Sequence, residues 1–78
     1  MSRDEKLLEK LRRRPPNADF RDIERLLLSE GWERTRQRGS HVSFTRSGER
    51  PIIVPMVGGR KVKGIYIDQV LARLGLDD

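Results

Sequence analysis

The chain has 78 residues and no cysteine, with seventeen Lys and Arg against twelve Asp and Glu and a formal charge of +5. A domain this short buries only about 60% of the surface its unfolded chain exposes, and without cysteine neither a disulfide framework nor a thiolate zinc site can supplement that core. No apolar run approaches the roughly 20 residues of a membrane helix, and the N-terminus lacks the apolar stretch of a secretory signal; the expectation is one cytoplasmic domain over residues 1–78 with no membrane partner.

The charge is segregated along the chain. Residues 1–33 carry eight basic and eight acidic side chains, residues 34–63 carry eight basic ones against Glu49 alone, and residues 64–78 set Arg73 against Asp68, Asp77 and Asp78. A basic middle third creates a local positive field that attracts polyanions, with nucleic acid or an acidic protein as the natural partner.

Residues 4–14 are rich in helix formers, with Leu7, Leu8 and Leu11 at helical spacing, Ser2 and Glu5 placed as a capping box, and Pro15-Pro16 as a stop. This first helix and the Pro-Pro-Asn-Ala linker after it read as an accessory segment (1–17) before a core of residues 18–78. Asp19 is the expected N-cap of a second helix whose Phe20, Ile23, Leu26 and Leu27 share one face. Gly31 ends it, because a glycine past the last turn takes the left-handed conformation cheaply, and Trp32 beyond it folds back onto that turn.

From Trp32 to Pro55 the periodicity becomes that of strands, in the pieces 32–37, 41–46 and 51–55. Arg38-Gly39-Ser40 and Ser47-Gly48-Glu49 supply turns short enough for antiparallel hairpins. In the middle strand Val42 and Phe44 point one way and His41, Ser43 and Thr45 the other. If the apolar pair packs on the helices, His41 stands on the open face. Val57-Gly58-Gly59-Arg60-Lys61 reads as a flexible basic loop, and Ile65, Ile67, Val70, Leu71 and Leu74 as the apolar stripe of a last helix over 65–74 that Gly75 closes. The expected class is α+β, order α-α-β-β-β-α, with helices on one face of a three-stranded antiparallel sheet.

His41 is the only histidine. Imidazole is the side chain whose ordinary pKa lies near neutrality, so it can take a proton from a hydroxyl and return one to a leaving group. RNA carries its own nucleophile, and cleaving it needs only deprotonation of a 2′-hydroxyl, cations for the developing charge and protonation of the leaving oxygen. His41 is the candidate acid or base; Arg36, Arg38, Arg46, Arg60, Lys61 and Lys63 are candidates to hold phosphate. The residues do not single out a second proton-transfer group: Ser40, Ser43, Tyr66, a lysine or His41 itself could serve. One histidine, no cysteine and acids concentrated in the helices disfavour a metal site. Two other readings fit the basic face: a non-catalytic RNA-binding module, indifferent to His41→Ala, and a protein-interaction domain meeting an acidic partner.

Together, Gly31-Trp32, Arg36-Gln37-Arg38-Gly39-Ser40-His41, Phe44, Ile53-Val54-Pro55, Gly58-Gly59 with Lys61, and Val70-Leu71-Leu74-Gly75-Leu76 resemble the HicA family of toxins over about residues 20–77. The resemblance implies a fold similar to a double-stranded RNA-binding domain. It also implies a toxin of a type II toxin–antitoxin system: a metal-independent ribonuclease that cuts mRNA, needs no cofactor and is held inactive by a HicB antitoxin that masks its histidine. Carried over by position, the family's catalytic histidine falls on His41 and its turn on Gly39 and Ser40. Many members carry a further histidine shortly after the Val-Pro of the third strand, where this chain has Met56 and Val57.

Overall fold

The computed structural model describes residues 3–77, with side chains from Asp4 onward. The order is α1 (Arg3–Arg12), β1 (Asn17–Asp19), α2 (Phe20–Ser29), β2 (Glu33–Arg38), β3 (His41–Thr45), β4 (Ile52–Pro55), β5 (Lys61–Lys63) and α3 (Gly64–Leu74). Strands β2, β3 and β4 make a three-stranded antiparallel meander, so the expected α+β class stands. No helix among the described residues is long and apolar enough to cross a membrane.

Two elements depart from the expectation. The linker after Pro16 becomes β1 and the end of the basic loop becomes β5, and the two pair antiparallel, Asn17 with Lys63, Ala18 with Val62 and Asp19 with Lys61. Ala18 and Val62 are buried, so this ribbon is amphipathic and seals one side of the core. Gly58-Gly59-Arg60 is the tip of a hairpin closed by paired Val57–Lys61 backbone hydrogen bonds of 2.8 and 3.0 Å. Gly59 and Arg60 both have positive φ, and the Arg60 carbonyl accepts the Phe20 amide at 2.8 Å. Gly64 starts α3 so close to Pro15 that a Cβ there would stand 2.9 Å from the Pro15 carbonyl oxygen.

The helix ends follow the glycines. Gly31, at φ +87°, donates to the Leu28 carbonyl and Trp32 to the Leu27 carbonyl, the paired bonds of a Schellman motif that fold the indole back onto the helix. Gly75 and Leu76 repeat the pattern on Ala72 and Leu71. Asp19 occupies the N-cap of α2 in extended conformation, but its carboxylate caps no amide and instead takes the Lys61 ammonium across the ribbon. The first helix is shorter than expected because Arg14 turns to φ +56° before the prolines. Ser2, half of the expected capping box, lies outside the described residues.

One face of the meander, Val42 and Phe44 with Ile52 and Val54, is buried against α2 and α3. Leu7 and Leu11 bring α1 into the same core; Leu11 is fully buried, and Lys10 pairs with Asp22 of α2 at 3.0 Å. Arg12 Nε donates to the Leu76 carbonyl at 2.7 Å, tying α1 to the chain end.

Leu11→Ala removes a fully enclosed side chain and is expected to cost about 2–5 kcal/mol, read as a lower urea midpoint at unchanged m-value; a cost near zero would mean that α1 is only loosely applied to the core. The Lys61 ammonium, by its hydrogen bond and then its charge, holds the Asp19 carboxyl below the usual carboxylate range. The stability this contributes is complete above the unfolded-state value of about 3.9 and is lost as pH falls through the lower folded-state value. Asp19→Asn is therefore expected to be less stable than the parent at neutral pH, with the difference vanishing in strong acid and shrinking in 1 M salt, followed by unfolding at a series of pH values.

Candidate active site

Gly39 has φ +58° while Ser40 does not share the positive region, the φ pattern of a type II′ turn, which asks for glycine at its first central position. The two-residue turn makes Arg38 and His41 the pair that closes the β2–β3 hairpin. The Ser40 carbonyl accepts the Met56 amide at 2.8 Å, fastening the turn to the end of β4. His41 is thus the first residue of the central strand, flanked by Arg38 on one side and Pro55 on the other, and it is exposed.

Residues opposite one another in a sheet share a face, so the register sorts the side chains into rows. On the helix-free face one row is Arg38, His41 and Pro55, and the next is Arg36, Ser43 and Ile53. The helix side alternates with them, as Gln37, Val42 and Val54, then Arg34, Phe44 and Ile52. A bulge between Arg34 and Arg36 sets this arrangement. Thr35 is the extra residue, its hydroxyl 3.4 Å from the Ser43 carbonyl. Without that insertion strict alternation would keep Arg34, Arg36 and Arg38 on one face. With it, Arg34 turns to the core side, lies 5.5 Å from the Phe20 ring centroid and pairs with Glu24 at 3.0 Å. Arg36 and Arg38 are left beside His41 with no side-chain hydrogen bond or ion pair among the described residues.

The other expected phosphate-binding residues are dispersed. Arg46 follows Thr45 at the far end of β3, where its Nε would stand 3.8 Å from a methyl group placed on Gly31 at the C-terminus of α2, a position that favours a cation. Arg60 lays its guanidinium 5.6 Å from the Phe20 centroid, and Lys61 is engaged by Asp19. Lys63 is exposed opposite Asn17 on the outer side of the ribbon. Gly39, Ser40 and His41 are held together with Arg36 and Arg38; Arg46, Arg60, Lys61 and Lys63 surround the meander without joining those two rows.

Among the groups considered for a second proton transfer, Ser43 shares the His41 face one row away, Ser40 is in the turn, and Tyr66 packs partly buried against the core. No cluster of three or more His, Asp or Glu side chains suited to a metal ion stands among the described residues. Two clefts, about 270 Å³ beside the start of α2 and about 330 Å³ between α1 and α3, include neither His41 nor any residue of the meander. His41 thus lies outside both clefts, exposed on a strand of the sheet. Ile53 also belongs to this surface, and its signal in the sequence is the alternation in Ile52-Ile53-Val54, whose outer members are core.

No curated protein and no solved structure matches the chain. The family described as HicA toxin of bacterial toxin-antitoxin matches residues 20–76, from the first residue of α2 past the end of α3, and so includes the whole meander with its histidine-bearing hairpin. A match over this much of the chain places the protein in the HicA family of toxins from bacterial toxin–antitoxin systems.

Proposed function

We propose that this toxin is an endoribonuclease that cleaves mRNA in the cytoplasm without metal, with His41 as the proton-transfer residue. The observation that carries the reading is the row Arg38–His41–Pro55 beside the row Arg36–Ser43–Ile53, which sets an exposed imidazole among two unpaired guanidiniums on a helix-free face. Single-stranded RNA laid across these rows would present a phosphate to the guanidiniums and the neighbouring 2′-hydroxyl to His41.

In the proposed reaction His41 accepts the 2′-hydroxyl proton as the 2′-oxygen bonds to phosphorus. The P–O5′ bond then breaks, and the imidazolium returns the proton to the departing 5′-oxygen. The products are a 2′,3′-cyclic phosphate and a 5′-hydroxyl, and no proton or electron is left over. Arg36 and Arg38 meet the charge that grows on the phosphoryl oxygens, where charge-assisted and bidentate hydrogen bonds are strongest. Gly39 and Ser40 fix the approach to the histidine. Lys63, Arg46, Arg60 and Lys61 extend the positive field along the RNA, the last two with part of their capacity held by Phe20 and Asp19. A HicB-type antitoxin would silence the enzyme by covering the His41 face. Residues 1–17 serve as an accessory segment of a single domain, a role supported by their position before the family match and by the burial of Leu11.

His41→Ala is expected to lower cleavage of single-stranded RNA in EDTA by roughly 10²–10⁴-fold, with RNA binding largely kept and cyclic phosphate ends absent from the gel. Cleavage that survives the substitution would refute the assignment, and equal binding without cleavage by either protein would favour an RNA-binding module. Arg36→Ala and Arg38→Ala are each expected to weaken RNA binding and to reduce the slope of log affinity against log salt by about 0.7 for each phosphate that is no longer neutralised. An unchanged slope in both variants would place the RNA on another face.

A further inference from the structure

We infer that Ile53, with Pro55 beside it, is the subsite on which an unstacked base of the RNA rests next to His41; the inference rests on the ribonuclease reading above. Ile53 is 49% exposed although it lies in the middle of a strand whose neighbours Ile52 and Val54 are 5% and 0% exposed. The core does not use it. Its register partner is Ser43, and Pro55 is the register partner of His41, so the two residues form a short apolar strip along β4 on the side of His41 opposite Arg38 and Arg36.

The face therefore has two chemically distinct flanks. Guanidiniums stand on β2 and an apolar strip on β4, separated by the strand that carries the imidazole. A directly opposed residue is about 4.5–5.5 Å away and a diagonal one about 7–8 Å, so Pro55 and Ile53 lie within one nucleotide's reach of His41. A ligand with an anionic backbone on one edge and flat apolar groups on the other matches both flanks. Single-stranded RNA has that form: its phosphates suit the arginines, and its unstacked bases have flat faces that can pack against apolar side chains. The row of His41 and the row of Ser43 contain no carboxylate to repel it; Glu33, opposite Thr45, stands one row further along.

The test uses the full chain and the variant Ile53→Thr, which keeps a β-branched residue suited to a strand but removes the apolar contact, with Ile53→Val as the conservative control. Binding is measured in the His41→Ala background with two probes, a mixed-sequence single-stranded RNA 12-mer and inorganic polyphosphate, which has the charge without the bases. Cleavage by the His41 proteins is followed in parallel. Ile53→Thr is expected to weaken RNA binding by up to about 5-fold, the bottom of the range for an aromatic platform, because an aliphatic side chain packs on a base without stacking. Polyphosphate binding should not change, KM should rise with kcat little altered, and Ile53→Val should restore parent behaviour. RNA and polyphosphate affinities that fall together would show an effect through the fold, and RNA affinity that does not fall would leave no base on this strip; either result overturns the inference. If the parent cleaves with His41 dependence while Ile53→Thr matches it, only the subsite is refuted. If the parent neither binds nor cleaves RNA, the ribonuclease reading fails and the subsite with it.

Discussion

Burial of Val42 and Phe44 against the helices pins the register of β3. Because successive side chains of a strand point to opposite faces, that burial also decides where His41, Ser43 and Thr45 go. A slip of one residue would drive the imidazole into the core and expose two large apolar groups, so no compromise register exists. The Gly39-Ser40 turn adds the second restraint by making Arg38 the cross-strand partner of His41. Packing and turn geometry act on the same short hairpin, and the chemistry of the open face follows from both.

The basic residues divide into two populations with different physical work. Arg34 and Arg60 each place a guanidinium over the buried Phe20 ring, and Arg73 lies 5.7 Å from the Trp32 centroid while donating to the Arg50 carbonyl at 2.6 Å. In these places the flat, weakly hydrated guanidinium serves as a cover for aromatic groups that a small core cannot otherwise enclose. Among the described residues, Arg36, Arg38 and Lys63 have no such commitment. On the open face of the meander, Arg36 and Arg38 thus keep their hydrogen-bonding capacity for a polyanion.

The segment before Phe20 lies outside the family match yet is integrated with the rest of the chain. Leu7 and Leu11 enter the common core, and β1 supplies the partner without which β5 would be a bare three-residue strand. The Asp19–Lys61 pair joins the same two strands. These interactions hold the base of the Gly58-Gly59-Arg60 hairpin, and the Ser40–Met56 hydrogen bond couples the β4 end of that connection to the histidine turn.

Much of this architecture is legible in local sequence. The second helix declares itself through Asp19, its apolar face and Gly31, the meander through two glycine turns and alternation around Val42 and Phe44, and the position of His41 through that same alternation. These features depend on neighbours within a few residues, so local chemistry is enough to specify them. The β1–β5 ribbon was hidden because strands of three residues are too short to show a period, and their pairing joins Asn17 to Lys63 across most of the chain. The fate of each cation was hidden for the same reason: Lys61 is claimed by Asp19 and Arg60 by Phe20 only once distant segments meet. The bulge at Thr35 is the most consequential case. Local pattern alone sets an arginine-rich strand next to His41, but the choice that Arg34 covers the core while Arg36 and Arg38 face outward is made in the folded sheet, because an extra residue in a strand is defined by what pairs across from it.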